Sequence, residues 1–329
     1  MTELELHGGG ELLPARDGDL WVRLAALDEA AAQHVTRKAN TARSYSSDWK
    51  AWEQYTTTIG IPLEAATIGS FVGFVLWHQR AGLALSTASR RLYGVVVSLR
   101  DRGVTVPQDA LDGARLALDQ FAREVAELGE QRGRGKAAPV TVAALRKMSA
   151  ALPDTLKGVR DRAILLVGFG IAGRRAEVAN LLTRDVAVHP EGLVVQIRYA
   201  KTTPRSPAVA RGTHPLTCPV RAWQAWAQAV ELAPDGPAFR RVNRHGQVLG
   251  GMSAQAVGNV WSEASVRAGL PRLTAHGARS GLATEARRAG HDAKTIAQQG
   301  GWSPNSRVLY EYMRIVDQWA DNATAGLGL

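Results

Sequence analysis

RDRAILLVGFGIAGRRAEVANLLTRDV, residues 160–186, admits two readings that lead to different folds. Gly168, Gly170 and Gly173 spell G-x-G-x-x-G behind the apolar run AILLV, the pattern of a strand entering a dinucleotide-binding turn. The same letters also read as an apolar helix that stops at Gly173, followed by Arg174 and Glu177 three residues apart on one helical face. The next segment separates the two. A dinucleotide fold needs alternating strands and helices and an acid at the end of the second strand, whereas LVVQIRYAK (193–201) ends in Lys201. Residues 160–173 are therefore expected to be helical, and no cofactor is expected.

Moving outward, EGLVVQIRYAKTTPRSPAVARG (191–212) reads as strand, turn and second strand, a small antiparallel sheet. Helices are expected over VTVAALRKMSAAL (140–152), PVRAWQAWAQAVEL (219–232, with Pro219 at its start), SAQAVGNVWSEASVRAG (253–269), TAHGARSGLATEARRAG (274–290) and DAKTIAQQGG (292–301). Upstream, EQRGRGKAAPVT (130–141) has no apolar period and carries Arg132, Arg134 and Lys136, so residues 130–140 are expected to be a basic linker.

Before that linker the pattern is helical throughout. TARSYSSDWKAWEQYTTTIG (41–60) puts Tyr45, Trp49, Trp52 and Tyr55 on one stripe. IGSFVGFVLWHQRAG, STASRRLYGVVVSLRDRG (Ser86 as N-cap, Gly103 as stop) and DALDGARLALDQFAREVAEL complete a four-helix domain over 35–129. Residues 1–34 are expected to be a mobile acidic leader with one short helix near Trp21 to Ala32, and 141–329 a second, mostly helical domain. The fold class is mainly α.

Composition narrows the function. The 329 residues carry 40 Lys+Arg against 30 Asp+Glu, a net +10. Because residues 1–34 are themselves net acidic, the surplus on the rest is larger still, and it points to a polyanionic partner, nucleic acid first. The single cysteine, Cys218, forms no intrachain disulfide and points to a reducing cytosol. The start MTELELHGGGELLPARDGDL is not a signal peptide, and the longest apolar run, AILLVGFGIAG (163–173), is far short of the roughly 18 residues of a membrane span.

The eight histidines show no H-x-x-x-H or H-E-x-x-H spacing, so no metal is expected. GRGKAA (133–138) lacks the Walker spacing. GARSG (277–281) is not G-x-S-x-G and no strand feeds it, which argues against a serine-hydrolase elbow at Ser280. Phosphate chemistry would then draw on the protein's own cations.

A coherent set of these lies in the second domain. Arg174 and Glu177 share a face, and so do His276 and Arg279 on a helix N-capped by Thr274. Lys201 ends a strand, Trp302 follows a Gly-Gly stop, and Tyr310 and Tyr312 lie in the final basic segment. Singly, these are a surface ion pair, a satisfied helix histidine, a turn cation and packed aromatics.

In this order along the chain they resemble the motifs of the tyrosine recombinase (phage integrase) family, over about residues 36–329. RDRAILLVGFGIAGRRAEVANLLTRDV resembles its first box, IRYAKTT its hairpin lysine, LTAHGARSGLATEARRAG its second box, and GGWSPNSRVLYEYMR its His/Trp-then-Tyr ending. The four helices resemble the core-binding (SAM-like) domain of Cre-like recombinases, and the second domain resembles the DNA breaking-rejoining catalytic fold.

The resemblance implies the roles. Arg174 and Arg279 would hold the phosphate oxygens, Glu177 would orient its neighbours, and Lys201 would protonate the leaving 5′-oxygen. His276 and Trp302 would position the phosphate, and a tyrosine would form a 3′-phosphotyrosyl link. The family spacing of nine after the His/Trp position lands on Glu311. The Met-Arg after Tyr312 favours Tyr312 as nucleophile, with Tyr310 the alternative.

By the same resemblance the partner is a double-stranded DNA recombination site. Four protomers would hold two duplexes, exchanging C-terminal segments beyond about Arg314, with accessory DNA-bending proteins possible and no membrane involved, in a prokaryotic, nucleoid-associated cytoplasmic setting. DNA contacts are expected from Thr41, Arg43, Thr87, Ser89, Arg90 and Arg91 near helix starts and from Arg132, Arg134 and Lys136. Integration, excision or chromosome resolution all fit. A type IB topoisomerase-like nicking-closing enzyme and a non-catalytic helical DNA-binding regulator are the alternatives.

Overall fold

The computed structural model describes residues 17–34, 37, 39–199, 204–303, 305–320, 324 and 327. The chain divides into two compact units, Met1–Gly135 and Lys136–Leu329.

In the first unit, α1 (Asp17–His34) precedes α2 (Ala39–Ile59), α3 (Ile68–Arg80), α4 (Leu85–Asp101) and α5 (Gln108–Glu127). The short helix expected near Trp21 is thus longer on both sides. Its Ala, Leu, Arg and Glu content is strongly helix-forming. α3 packs on α5 and α2 on α4. The aromatic stripe of α2 supplies the core: Trp52 and Tyr55 are buried with Phe71, Phe74 and Phe121, and the Trp52 and Phe74 rings meet edge to face at 5.1 Å. α4 begins two residues earlier than the Ser86 cap predicts, with Ala84 as N-cap, because Thr87 and Ala88 N–H already donate to the Ala84 carbonyl.

The second unit contains α6 (Val142–Ala151), α7 (Leu156–Gly170), α8 (Arg175–Ala179), β1 (Val186–His189), β2 (Gly192–Val195), β3 (Ala208–Ala210) and α9 (Pro219–Ala229). β4 (Arg240–Val242), β5 (Val248–Gly251), α10 (Ala254–Arg267), α11 (Ala275–Arg288), α12 (Ala293–Gly300) and α13 (Arg307–Ala320) follow. α7 is the buried axis, with α6, α9, α10 and α11 packed around it. Residues 168–170, which could have formed a nucleotide-binding turn, are helical, and Gly170 lets Val209 of β3 lie against the helix.

The sheet is antiparallel in order β1-β2-β3, with Val186 opposite Val195 and Leu193 opposite Val209. β1 and the β4–β5 hairpin are additions to the expected strand-turn-strand. Both are short and mostly exposed, so neither shows the alternation that marks a half-buried strand.

The expected linker is tied down at both ends, each within its own unit. Arg132 donates to the Gln79 carbonyl at 2.8 Å and to Glu130 at 2.6 Å, and lies over the Phe121 ring. Val140 is buried and donates to the Gly277 carbonyl at 2.8 Å. A Cβ at Gly277 would sit 2.3 Å from the Ala138 oxygen, and one at Gly281 2.1 Å from the Val140 oxygen. The glycines of GARSG are therefore a groove for the backbone of residues 138–140.

Candidate active site

Three local devices place the site. The first is the end of α7, where Ala172 takes φ 46°, a left-handed conformation usually left to glycine. The carbonyls of Ile171 and Ala172 accept from Arg205 (3.2 Å) and Arg279 (2.7 Å). The second is the start of α8. Arg174 is its N-cap and Glu177 reaches back, its Oε2 accepting from the Arg174 backbone N–H at 3.0 Å and its Oε1 from the Arg174 guanidinium at 2.6 Å. The third is α11, whose Thr274 cap accepts from Gly277 N–H and starts the helix so that His276 and Arg279 point the same way.

Arg279 is buried, donates also to the Gly300 carbonyl at 2.6 Å, and stacks on the Trp302 ring 3.9 Å from its centroid. Its Nη2 is buried without an acceptor. Tyr312, on α13, closes the group. Its hydroxyl is 3.2 Å from His276 Nε2, its ring is 6.3 Å from that of Trp302, and its carbonyl accepts from Thr284 Oγ1 at 3.2 Å. Tyr310 is 49% exposed. Two residues along a helix is about 200° of rotation, so the two phenols leave α13 on nearly opposite sides.

The electrostatics are one-sided. Burial alone would raise the Glu177 carboxyl, but hydrogen bonds from Arg205 and Arg174 hold it below the usual carboxylate range. Burial first, then Arg279 and Arg174, push His276 below its ordinary value, so it is neutral at pH 7 and can accept a proton. Burial raises the Tyr312 phenol, partly offset by Arg279. Burial, then Arg174 and Arg205, lower Arg279 to about 9, still cationic at neutral pH. The pocket thus holds three guanidiniums and one carboxylate, an arrangement suited to an anion of two or more oxygens.

Of the residues singled out in the sequence, Arg174, Glu177, His276, Arg279, Trp302 and Tyr312 are brought together. Lys201 lies outside the described residues. In the first unit, Thr41 and Arg43 sit in the first two turns of α2, and Ser89 is exposed on α4 beside the partly buried Thr87. Three of the arginines expected to contact DNA also have partners within the first unit. Arg90 binds the fully buried Asp48 (2.6 Å to Oδ2), Arg91 meets the buried His78 at Nε2 (3.0 Å), and Arg132 makes the bonds described above. Arg134 is exposed, and Lys136, 81% exposed, pairs with Glu311 at 2.8 Å.

Sequence reasoning missed Arg205 and Gln299. Arg205 donates to Glu177 Oε2 at 2.9 Å, and the Gln299 amide donates to the carbonyls of Gly170 (2.7 Å) and Ala208 (2.9 Å). In TTPRSP, Arg205 reads as a solvated turn cation, and only its flanking prolines hint at a fixed backbone. Among the described residues no three His, Cys, Asp or Glu side chains are grouped to hold a metal ion, and no helix is long and apolar enough to cross a membrane.

Comparison with known proteins agrees across both units. The model of the phage integrase family matches residues 140–318. The integrase/recombinase xerD homolog of Selenomonas ruminantium is 25% identical over 297 residues, 86% of this chain and 84% of the relative. Recombinase cre of Escherichia phage P1 is 25% identical over 294 residues, 83% and 82% of the two chains. Among solved structures, the XerH site-specific recombinase bound to difH substrate, in its pre-cleavage complex, shares the fold with a TM-score of 0.56. The match covers 87% of this chain and 79% of that one, at 15% identity.

Proposed function

This chain belongs to the phage integrase family of tyrosine recombinases, DNA strand-transferring enzymes, and from that premise we propose that it recombines DNA through a 3′-phosphotyrosyl intermediate formed on Tyr312. The observation that carries the proposal is the 3.2 Å approach of the Tyr312 hydroxyl to a neutral His276 beside Arg174 and Arg279.

Arg174 and Arg279 hold the two non-bridging oxygens of the scissile phosphate and balance the charge that develops on them. The Tyr312 oxygen attacks phosphorus as its proton passes to His276 Nε2. The bond from phosphorus to the 5′-oxygen breaks, and that oxygen takes a proton from Lys201, as the family resemblance implies. A free 5′-hydroxyl from another strand then attacks the phosphotyrosine and releases Tyr312, so the number of phosphodiester bonds is unchanged. Trp302 packs on Arg279 and fixes its plane.

The DNA partner is a double-stranded recombination site, with the half-buried Thr41 and the exposed Arg43, Ser89, Arg134 and Lys136 as phosphate or groove contacts. The working assembly is four protomers on two duplexes, with segments beyond Arg314 exchanged between neighbours. An integration, excision or resolution role follows from the family alone.

The test is a nicked suicide duplex carrying a sequence selected by the full chain from a random pool. The wild-type protein becomes covalently attached. No attachment on any selected duplex refutes the reading. Exchange between two sites on a plasmid, against relaxation alone, separates recombination from nicking and closing.

A further inference from the structure

The buried cation at Arg205 has no role in the reaction just described, yet it contacts Glu177 and the turns before Arg174 and Trp302. Its side chain is 9% exposed. Nη2 donates to Glu177 Oε2 at 2.9 Å and to the Ile171 carbonyl at 3.2 Å. Its backbone is pinned in both directions to Ile197, Arg205 N–H to the Ile197 carbonyl at 3.2 Å and Ile197 N–H back at 2.7 Å. Its other face lies on Gly301, the left-handed cap of α12 (φ 63°), where a Cβ would stand 2.8 Å from Arg205 Cδ and 3.1 Å from Nη1. Only glycine leaves room for the guanidinium there, and Trp302 is the next residue.

Two features separate this from an ordinary structural ion pair. First, Arg205 Nε and Nη1 are both buried with no acceptor, an unfavourable way to fill a core if packing were the only requirement. Secondly, Glu177 divides its oxygens: Oε1 takes the Arg174 guanidinium, while Oε2 takes the Arg174 backbone N–H and Arg205. With Arg205 balancing the carboxylate, the charge of Arg174 and its remaining donors stay available to an incoming anion. Without Arg205, Arg174 alone would have to neutralise Glu177.

We propose that Arg205 is a positioning residue for strand cleavage: it balances Glu177 so that Arg174 can face the phosphate, and it ties the backbone four residues after Lys201 to the turn that presents Trp302. This rests on the recombinase reading above for its second test but not for its first. The first needs no DNA. Glu177 faces Arg174, Arg205 and, across the pocket, Arg279, and removal of one of these three cations must raise its carboxyl.

In the full chain labelled with ¹³C at glutamate carboxyls, with Glu177→Gln identifying the signal, Arg205→Met shifts the Glu177 titration to higher pH and Arg205→Lys restores much of it. An unmoved titration in a folded Arg205→Met protein, judged by its amide spectrum, overturns the proposal. If Arg205→Met does not fold, Arg205→Lys carries the test: its shorter side chain holds the charge farther from Glu177 and must give a titration between wild type and the Glu reference range, and a Glu177 signal identical to wild type overturns it.

The second test measures single-turnover attachment to the selected suicide duplex. Arg205→Met slows attachment by about 100-fold, the scale of an ångström misplacement, while DNA affinity changes by less than about 3-fold. The loss in the Arg205→Met, Glu177→Gln double variant is smaller than the product of the single losses. Independent, multiplicative losses overturn the proposal. Failure of the wild-type chain to attach sinks the recombinase reading instead and leaves the carboxyl titration to decide on Arg205.

Discussion

The Tyr312 hydroxyl stands 3.2 Å from His276 Nε2, although the two residues are 36 positions apart and on different helices. The phenol is held above its ordinary value and the imidazole below its own, both chiefly by burial. A protonated phenol therefore meets an unprotonated base at neutral pH, the pairing that proton transfer requires.

Tyr312→Phe is expected to abolish covalent attachment to the suicide duplex while leaving its affinity in a gel-shift titration within about 2-fold of wild type, since one hydroxyl among many contacts is lost. Tyr310→Phe should attach at the wild-type rate. Attachment that survives in Tyr312→Phe and disappears in Tyr310→Phe would reverse the assignment.

The cleavage rate should fall as pH is lowered through the depressed His276 value, because protonation removes the acceptor, and should be flat from there through neutrality. His276→Ala slows attachment by roughly 100- to 10,000-fold, the range for loss of a general base. A rate–pH profile with its acid limb unchanged in that variant would count against the role.

Arg279→Lys should fail twice. A lysine cannot donate to the Ala172 and Gly300 carbonyls while lying flat on Trp302, so attachment drops by roughly 100- to 1,000-fold and the melting temperature of the second unit falls as well. Calorimetry and single-turnover kinetics on the same preparation check both effects.

The stability of the first unit should depend on pH through His78. Burial, offset in part by its bond to the Phe74 carbonyl, lowers this imidazole to about 4, while the unfolded chain titrates near the ordinary 6.5. Between those values the unfolded state binds the extra proton, so stability is full above about 6.5 and is lost as pH falls towards 4. His78→Gln flattens that slope in thermal melts between pH 7 and 4.5.

Gly281→Ala tests the groove on α11. Its Cβ would stand 2.1 Å from a backbone oxygen that cannot rotate away, so the second unit should lose about 1–3 kcal/mol or more in a urea titration. An exposed control, Gly69→Ala on α3, meets nothing within 4 Å and should be neutral or slightly stabilising.

The mainly helical class, the strand-turn-strand and the residues gathered at the site were legible because helix period, caps and i,i+3 spacing are local properties, written in neighbouring letters. Arg174 with Glu177, and His276 with Arg279, are such pairs. Tertiary structure alone decided the rest. It alone faces Tyr312 rather than Tyr310 towards His276, and it alone gives Arg90, Arg91 and Arg132 their partners Asp48, His78 and Gln79. It also draws Arg205 from an unremarkable turn onto Glu177. A charged side chain reads the same in sequence whether solvent or a buried carboxylate balances it. Only the packing of distant segments sets which, because electrostatic balance depends on distance in space and on exclusion of water.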